Sequence, residues 1–318
     1  MKVTEHIDKA NGKPVFSFEI LPPVKGKSID TIYKSLDPLM KFDPAFINVT
    51  YHRSEQLLKK NKDGSFDKVD IRKRPGTVGI CASIMNHYNV DSVPHLICGG
   101  FSRDETENAL IDLNFLGIDN VLILRGDPPK NETYFRPHAN GHHYAIDLVK
   151  QVVQLNSGSY LEEDIMDGVK TDFCIGVAGY PEKHFEAANR NLDMFHLKNK
   201  VDAGADYITT QMFFDNSKYI RFVKDCRDAG INVPIIPGLK PLSSKRQLNV
   251  IPSIFHVDIP DELTNNMLNA SSKQEEEKVG EEWLLKQSKE LIEAGAPAVH
   301  FYTLGKPHVV ANVMEKLF

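Results

Sequence analysis

Eight short apolar runs punctuate this chain, and helical patterns fill most of the intervals between them. The runs are Val15–Glu19, Phe46–Thr50, Pro94–Cys98, Val121–Arg125, Asp172–Ala178, Tyr207–Phe213, Val233–Pro237 and Ala298–Thr303. They carry little polar alternation, as expected of strands buried on both faces of a parallel sheet. Strands separated by single helices imply right-handed β-α-β crossovers. Eight of them predict an α/β fold, a single closed (β/α)8 TIM barrel over residues 1–318, with its active site at the C-terminal ends of the strands. A length of 318 residues with 41% hydrophobic content suits such a barrel as one domain.

The intervals carry start and stop signals. Ser28 is placed to cap a helix over Ile29–Lys41, and Ser102 with Glu105 forms a capping box for Arg103–Leu116. Pro181 opens a helical stretch, continuous or broken, that reaches Ala203, where Gly204 fits the stop. Glu281–Ala294 leads to Gly295 in the same way. Arg74–Val90 reads as helix, because the next strand follows so closely at Pro94. The charge run Lys273–Glu282 reads as a solvated helix start. Lys59–Lys73, Pro129–His143 and Asn156–Lys170 are polar enough to be surface loops.

Several function classes drop out. A net charge of -5 and the lack of a Lys/Arg cluster argue against nucleic acid. No apolar run is long enough for a bilayer and the N-terminus has no apolar signal core, so a cytoplasmic placement is expected. No Rossmann or P-loop glycine pattern occurs. Cys81, Cys98, Cys174 and Cys226 are far apart and read as reduced core thiols. No metal site is expected, because His142-His143 lacks a carboxylate–His pattern. The Asn131 glycosylation sequon carries little meaning without a secretion signal.

In a barrel the strand exits converge, and here they bring Glu19, Thr50, His95, Arg125 with Asp127, Tyr180, Gln211 and Tyr302–Thr303 to one face. Glu19 lies between Phe18 and Ile20. Desolvation favours the protonated form of a carboxyl, which suits Glu19 to proton donation; the alternative is a structural Glu paired with a cation. Arg125 and Asp127 leave the strand N-V-L-I-L as two charges that are costly to bury alone, and they either serve a ligand or pair with each other. Gln211 offers a donor and an acceptor edge to a heteroaromatic ligand, or satisfies loop backbone. Lys200 either complements a helix C-terminus or reaches a phosphate.

F-S-F-E-I-L-P-P, N-V-T-Y, P-H-L-I-C, L-R-G-D-P-P, V-A-G-Y-P-E-K-H, K-V-D-A-G-A-D, T-Q-M-F-F-D, P-G-L-K-P and H-F-Y-T-L follow one another from Phe16 to the end. This ordered set strongly resembles the methylenetetrahydrofolate reductase family. The resemblance implies non-covalent FAD, NADH or NADPH as hydride donor, and ping-pong reduction of 5,10-methylenetetrahydrofolate to 5-methyltetrahydrofolate, feeding methionine biosynthesis and one-carbon metabolism. It implies the short, bacterial type, without the long C-terminal domain of animal enzymes, and a homo-oligomer. Glu19 matches the general acid that opens the folate's imidazolidine ring, and Asp127 the carboxylate near flavin and folate. Gln211, Gln247, Ile251 and Lys306 match substrate contacts, Ile251 as the hydrophobic wall over the flavin. Thr50, Tyr51, His95, Arg125, Gly126, Asp127, Tyr144, Ala145, Tyr180, His184, Asp193, His196 and Lys200 match positions lining FAD.

The chain departs from the family pattern in three places. His52-Arg53 stands where bacterial relatives have Gly-Ala, His196 where Asn is frequent, and Lys306 where an Arg binds substrate. Lys keeps the charge of Arg but loses its planar fork. A proline-dehydrogenase-like flavin barrel is a rival reading, but it would need carboxylate-binding arginines at the last strand. A non-catalytic folate carrier on the same barrel is another, and the presence of Glu19 speaks against it.

Overall fold

A computed structural model describes residues 1–128, 132, 134–303 and 305–317 of the chain. The Asn131 sequon, Pro129 of the L-R-G-D-P-P segment and Leu304 of H-F-Y-T-L lie outside the described residues. In chain order the elements are α1 (Val3–Lys9), β1 (Val15–Ile20), α2 (Asp30–Met40), β2 (Phe46–Val49), β3 (Glu55–Lys60), β4 (Phe66–Ile71), α3 (Thr77–Tyr88) and β5 (Asp91–Ile97). Next come α4 (Arg103–Phe115), β6 (Asn120–Leu124), α5 (Ala145–Asn156), β7 (Cys174–Gly179), α6 (Arg190–Asp202), β8 (Tyr207–Thr210) and α7 (Asn216–Asp228). The chain continues through β9 (Ile235–Ile236), β10 (Gly238–Leu239), α8 (Gln247–Phe255), α9 (Asp261–Asn269), α10 (Lys273–Glu293), β11 (Ala298–Tyr302) and α11 (Pro307–Leu317).

The main sheet runs β10-β11-β1-β2-β5-β6-β7-β8-β9, and every pairing in it is parallel. Its two ends, β9 and β10, are one strand broken at Pro237, which has no N–H for the ladder. The Pro237 carbonyl still accepts from His300 N at 3.0 Å, and Gly238 N donates to the Thr210 hydroxyl at 2.9 Å. The predicted eight-strand barrel is therefore present, with this break at its seam. Only glycine fits at 238: a Cβ there would lie 2.3 Å from the Thr210 carbonyl oxygen and 2.5 Å from the Tyr302 hydroxyl.

The apolar runs serve two cores, because successive side chains point to opposite faces of the sheet. Outward residues such as Phe18, Ile47, Val121, Ile123, Val177, Ile208 and Phe301 pack under the helices. Inward residues Phe46, Val93, Leu122, Cys174, Tyr207, Ile236 and Ala298 fill the lower barrel. Val3 of α1 closes this inner core from below. Its N–H donates to Asn120 Oδ1 at 2.8 Å, and Asn120 Nδ2 donates to the Met1 carbonyl at 2.9 Å. Above this plug the inward positions turn polar, and that is where the site begins.

Some expectations need correction. Lys59–Lys73 is not a plain loop, since β3 and β4 form an antiparallel hairpin through most of it. Its Asp63-Gly64 turn, with Gly64 at φ 87°, is a hairpin signal hidden by polar composition. Of the helical stretch expected from Pro181 to Ala203, with a break allowed, the helix is α6, which reaches its C-cap at Ala203 and whose first turn is capped by Asn189 accepting from Leu192 N at 2.9 Å. Residues 181–189 are irregular and include Lys183 at φ 142°. The helix expected from Ile29 begins at Asp30, whose N–H donates to the Ser28 hydroxyl at 3.2 Å. The Ser102–Glu105 capping box, the helix over Thr77–Tyr88 and the charged start of α10 are as expected. All four cysteines are free and buried. Among the described residues, no helix is long and apolar enough to cross a membrane.

Candidate active site

Inward alternation on β1 brings Ser17 and then Glu19 into the barrel. Glu19 pairs in register with Asn48 of β2 and Tyr302 of β11 and is 7% exposed. Two imidazoles flank its carboxyl. His95 Nε2 is 3.5 Å from Glu19 Oε2, and His300 Nε2 is 3.8 Å from the same oxygen. These distances are contacts rather than strong hydrogen bonds. Ser17 Oγ fixes His300 through Nδ1 at 2.8 Å, and Asn48 Nδ2 is 3.3 Å from His95 Nε2. Thr303 Oγ1 donates to the Glu19 carbonyl at 2.7 Å, locking the backbone. Burial pushes the His95 imidazole down to about 4, against the opposing pull of Glu19. His95 is therefore neutral near pH 7, and Glu19 is not half of an ordinary ion pair. Among the described residues no Lys or Arg bonds it, as the structural alternative required.

Lys240 joins this buried group. It follows β10 by one residue and is 9% exposed, and burial lowers its ammonium to about 8 while Glu19 opposes the shift. Sequence reasoning gave it no role. The signal available was a Lys between Leu239 and Pro241 at a strand exit, a place where a charge is costly unless it faces polar company.

The other side of the mouth is more open and richly charged. Gly126, at φ 84°, turns the chain sharply after β6 and parts Arg125 from Asp127. The two charges do not pair with each other. Arg125 Nη1 instead meets Glu186 Oε2 at 2.5 Å, and its guanidinium lies 5.0 Å from the Phe135 ring centroid. Hydrogen bonding from Arg125 holds the Glu186 carboxyl below the usual carboxylate range. Asp127 is exposed. At the β7 exit Tyr180 and His184 pack edge to face at 4.7 Å, and His184 N donates to Asp193 Oδ2 at 3.0 Å. Lys200 Nζ donates to the Ala178 carbonyl at 2.7 Å, and burial lowers this ammonium to about 8. His196 is exposed on α6.

At the β2 exit Thr50 Oγ1 is 3.3 Å from His52 Nε2, and Tyr51 OH accepts from Arg72 Nη2 at 2.8 Å. Arg72 comes from the end of the hairpin, a partner that sequence reading missed. Arg53 lies against Gly99, and its Nη2 is buried without a hydrogen-bond partner. Tyr144 is exposed and its N–H donates to Asp147 Oδ2 at 3.0 Å, opening α5 at Ala145.

The expected folate contacts are held by this chain's own groups. Gln211 Oε1 accepts from Met212 N at 2.9 Å, and Gln247 Oε1 accepts from Ser243 N at 2.6 Å. Ile251 is fully packed in a cluster with Met212, Phe214 and Leu242. Lys306 is bonded to Glu277 of α10, which also lies 3.4 Å from His308 Nε2. His142 is buried and bonded to Gln151.

Compared with known proteins, residues 2–318 match the family profile described as methylenetetrahydrofolate reductase. The chain belongs to the methylenetetrahydrofolate reductase family. It is 30% identical to the 5,10-methylenetetrahydrofolate reductase of Salmonella typhimurium over 99% of this chain and 94% of that protein. It is 31% identical to a probable methylenetetrahydrofolate reductase (NADH) of Oryza sativa over its whole length. There it spans 50% of the plant protein, about half the length of that relative. An uncharacterised protein of Clostridium thermocellum, described as binding two copies of 5-methyl-5,6,7,8-tetrahydrofolic acid, shares the fold with a TM-score of 0.59. It is 14% identical and covers 99% of this chain and 98% of its own. Glu19 and Tyr302, in register at the exits of β1 and β11, and Arg125, at the exit of β6, lie at the same end of the barrel strands.

Proposed function

We propose that residues 1–318 form one catalytic domain that reduces 5,10-methylenetetrahydrofolate to 5-methyltetrahydrofolate with a reduced nicotinamide nucleotide as the source of hydride. The observation that carries this reading is Glu19, buried at the barrel mouth between two imidazoles and bonded to no Lys or Arg among the described residues, in a chain of this family. Such a carboxyl can hold a proton and deliver it, whereas a structural Glu would be tied to Lys or Arg. The residues present also fit FAD. Arg53 has a buried N–H without a partner, Arg125 is a partly exposed cation and Lys200 a buried one, and Tyr180 and Tyr144 offer aromatic surface. Bound there, FAD would supply a two-electron carrier between nicotinamide and folate.

The protein's own groups have separable tasks. Glu19 gives a proton to the folate ring nitrogen whose bond to the methylene carbon breaks, leaving an iminium. Asp127, negative at the rim, stabilises the cation so formed, an electrostatic preorganisation. Gln211 and Gln247 exchange their backbone partners for the pterin's donor and acceptor edges. Lys306 leaves Glu277 to meet a carboxylate of the substrate. Arg125 and Lys200 hold the phosphates of the flavin nucleotide.

Purified protein should be yellow. Stopped-flow mixing with NADH or NADPH should bleach the flavin, and methylenetetrahydrofolate should restore its absorbance. A colourless protein that binds folate would instead support the carrier reading, and bleaching without restoration by folate would point to another substrate.

A further inference from the structure

Lys240 does not appear among the groups that the reaction scheme uses, yet its place in the sheet is specific. Gly238 and Leu239 of β10 pair with His300 and Phe301 of β11, so Lys240 continues the ladder level with Tyr302. Tyr302 is in turn level with Glu19 of β1. Side chains alternate along each strand. Leu239 and Phe301 face outward into the core under the helices, so Lys240, Tyr302 and Glu19 share the inward face. Two strand spacings, roughly 10 Å of backbone, separate Lys240 from Glu19, and the charge of Glu19 acts on the Lys240 ammonium across them.

The surroundings leave Glu19 as the charge that Lys240 can answer. From β11, Tyr302 is buried and donates its hydroxyl to the Thr210 carbonyl at 2.6 Å, and burial keeps it a neutral phenol. His300 is bonded to Ser17. Lys306, beyond β11, repels Lys240 but is bonded to Glu277 of α10. Glu276 of α10 accepts from Lys245 N at 3.2 Å. Among the described residues, no hydrogen bond holds the Lys240 ammonium. Lys240 is buried along its stem, and Glu19 is the charge that favours its ammonium.

We propose that Lys240 is a positioning residue for proton transfer, its ammonium stabilising the carboxylate that Glu19 becomes when it protonates the folate. The proposal rests on the reading of Glu19 as general acid. In the step, the Glu19 O–H bond breaks and an N–H bond forms on the folate. The electron pair of the opening C–N bond stays on that nitrogen, and the methylene carbon becomes an iminium. Negative charge appears on Glu19 at that moment. A cation on the same inward face favours the transfer, and it does so only while Lys240 is protonated, below about pH 8.

The test is the rate at which methylenetetrahydrofolate reoxidises reduced holoenzyme, followed from about pH 6.5 to about 9.5 in wild type, Lys240→Met and Lys240→Arg. Wild type should slow as pH rises through about 8. Lys240→Met should be slower at neutral pH by roughly tenfold or more, with the limb near pH 8 gone. Lys240→Arg, whose charge persists, should keep the neutral rate and move the limb out of range. A limb that stays near pH 8 in both variants overturns the proposal. So does a Lys240→Met protein that loses folate affinity at an unchanged limiting rate, which would put Lys240 on the substrate. If Lys240→Met fails to fold, the Lys240→Arg limb decides alone. Glu19→Gln separates the two readings: full folate reduction there removes the general acid itself, whereas loss there with an unmoved Lys240 limb removes only the role of Lys240.

Discussion

The two sides of the barrel mouth solve the placement of charge differently. Around β1, β5, β10 and β11, polar groups are buried and lock one another: Ser17 on His300, Thr303 on the Glu19 backbone, Asn48 beside His95. Around β6 and β7 Arg125 is paired with a partly exposed carboxylate, Glu186, while Lys200 is buried on the Ala178 carbonyl. On the proposed function the first side serves proton chemistry, which needs fixed geometry and low dielectric. On the same proposal the second side offers Arg125 to a phosphate-bearing ligand, since its partly exposed carboxylate partner is displaced at small cost. Substitutions on the first side should therefore change stability and pH response, and on the second they should change affinity.

The largest effect is expected from acid. His95 has a folded pKa near 4 because of burial, against about 6.5 unfolded. The unfolded chain binds the proton first, so this contribution is complete above about pH 6.5 and is lost as pH falls toward 4. Up to about 3 kcal/mol is at stake, and in denaturant titrations across that window wild type should lose that much more stability than His95→Gln as pH falls. Gly238→Ala should follow, costing about 2–3 kcal/mol because the added methyl meets backbone rather than a movable side chain. Thermal melts read that loss, and an unchanged melting temperature would mean that the seam can shift freely.

On the open side, Arg125→Ala should leave the melting temperature almost unchanged while weakening flavin binding to the apoprotein by roughly 10- to 100-fold, read by fluorescence quenching. Comparable loss of stability would put Arg125 with the buried side and erase the contrast. The smallest effect belongs to Glu186→Gln, which frees Arg125 from a partly exposed pair and should alter flavin affinity by no more than about threefold.

The legibility of the sequence follows the same division. Both-faces burial makes an unbroken apolar run, so the barrel strands could be read directly, and a carboxylate set between Phe18 and Ile20 announces itself. The broken strand at Pro237 was harder, because β9 and β10 are two residues each and only the tertiary ladder defines them. The hairpin was hidden because its side chains are largely exposed and its composition resembles a loop. The Arg125–Asp127 question could not be settled from spacing: a left-handed glycine between them, and a Glu 61 positions farther on, decided it. Lys240 was missed because its company, Tyr302 and Glu19, comes from strands at the two ends of the chain and is visible only in register.

The central claim is that Glu19 delivers the proton that opens the folate ring while the other side of the mouth holds the flavin. Stopped-flow analysis of Glu19→Gln tests it most directly, by following both half-reactions in one protein. Reduction of the flavin by NADH or NADPH should proceed at close to the wild-type rate, and reoxidation by methylenetetrahydrofolate should fall by roughly 100-fold or more. Equal loss of both half-reactions, or folate reduction that survives the substitution, would contradict the account.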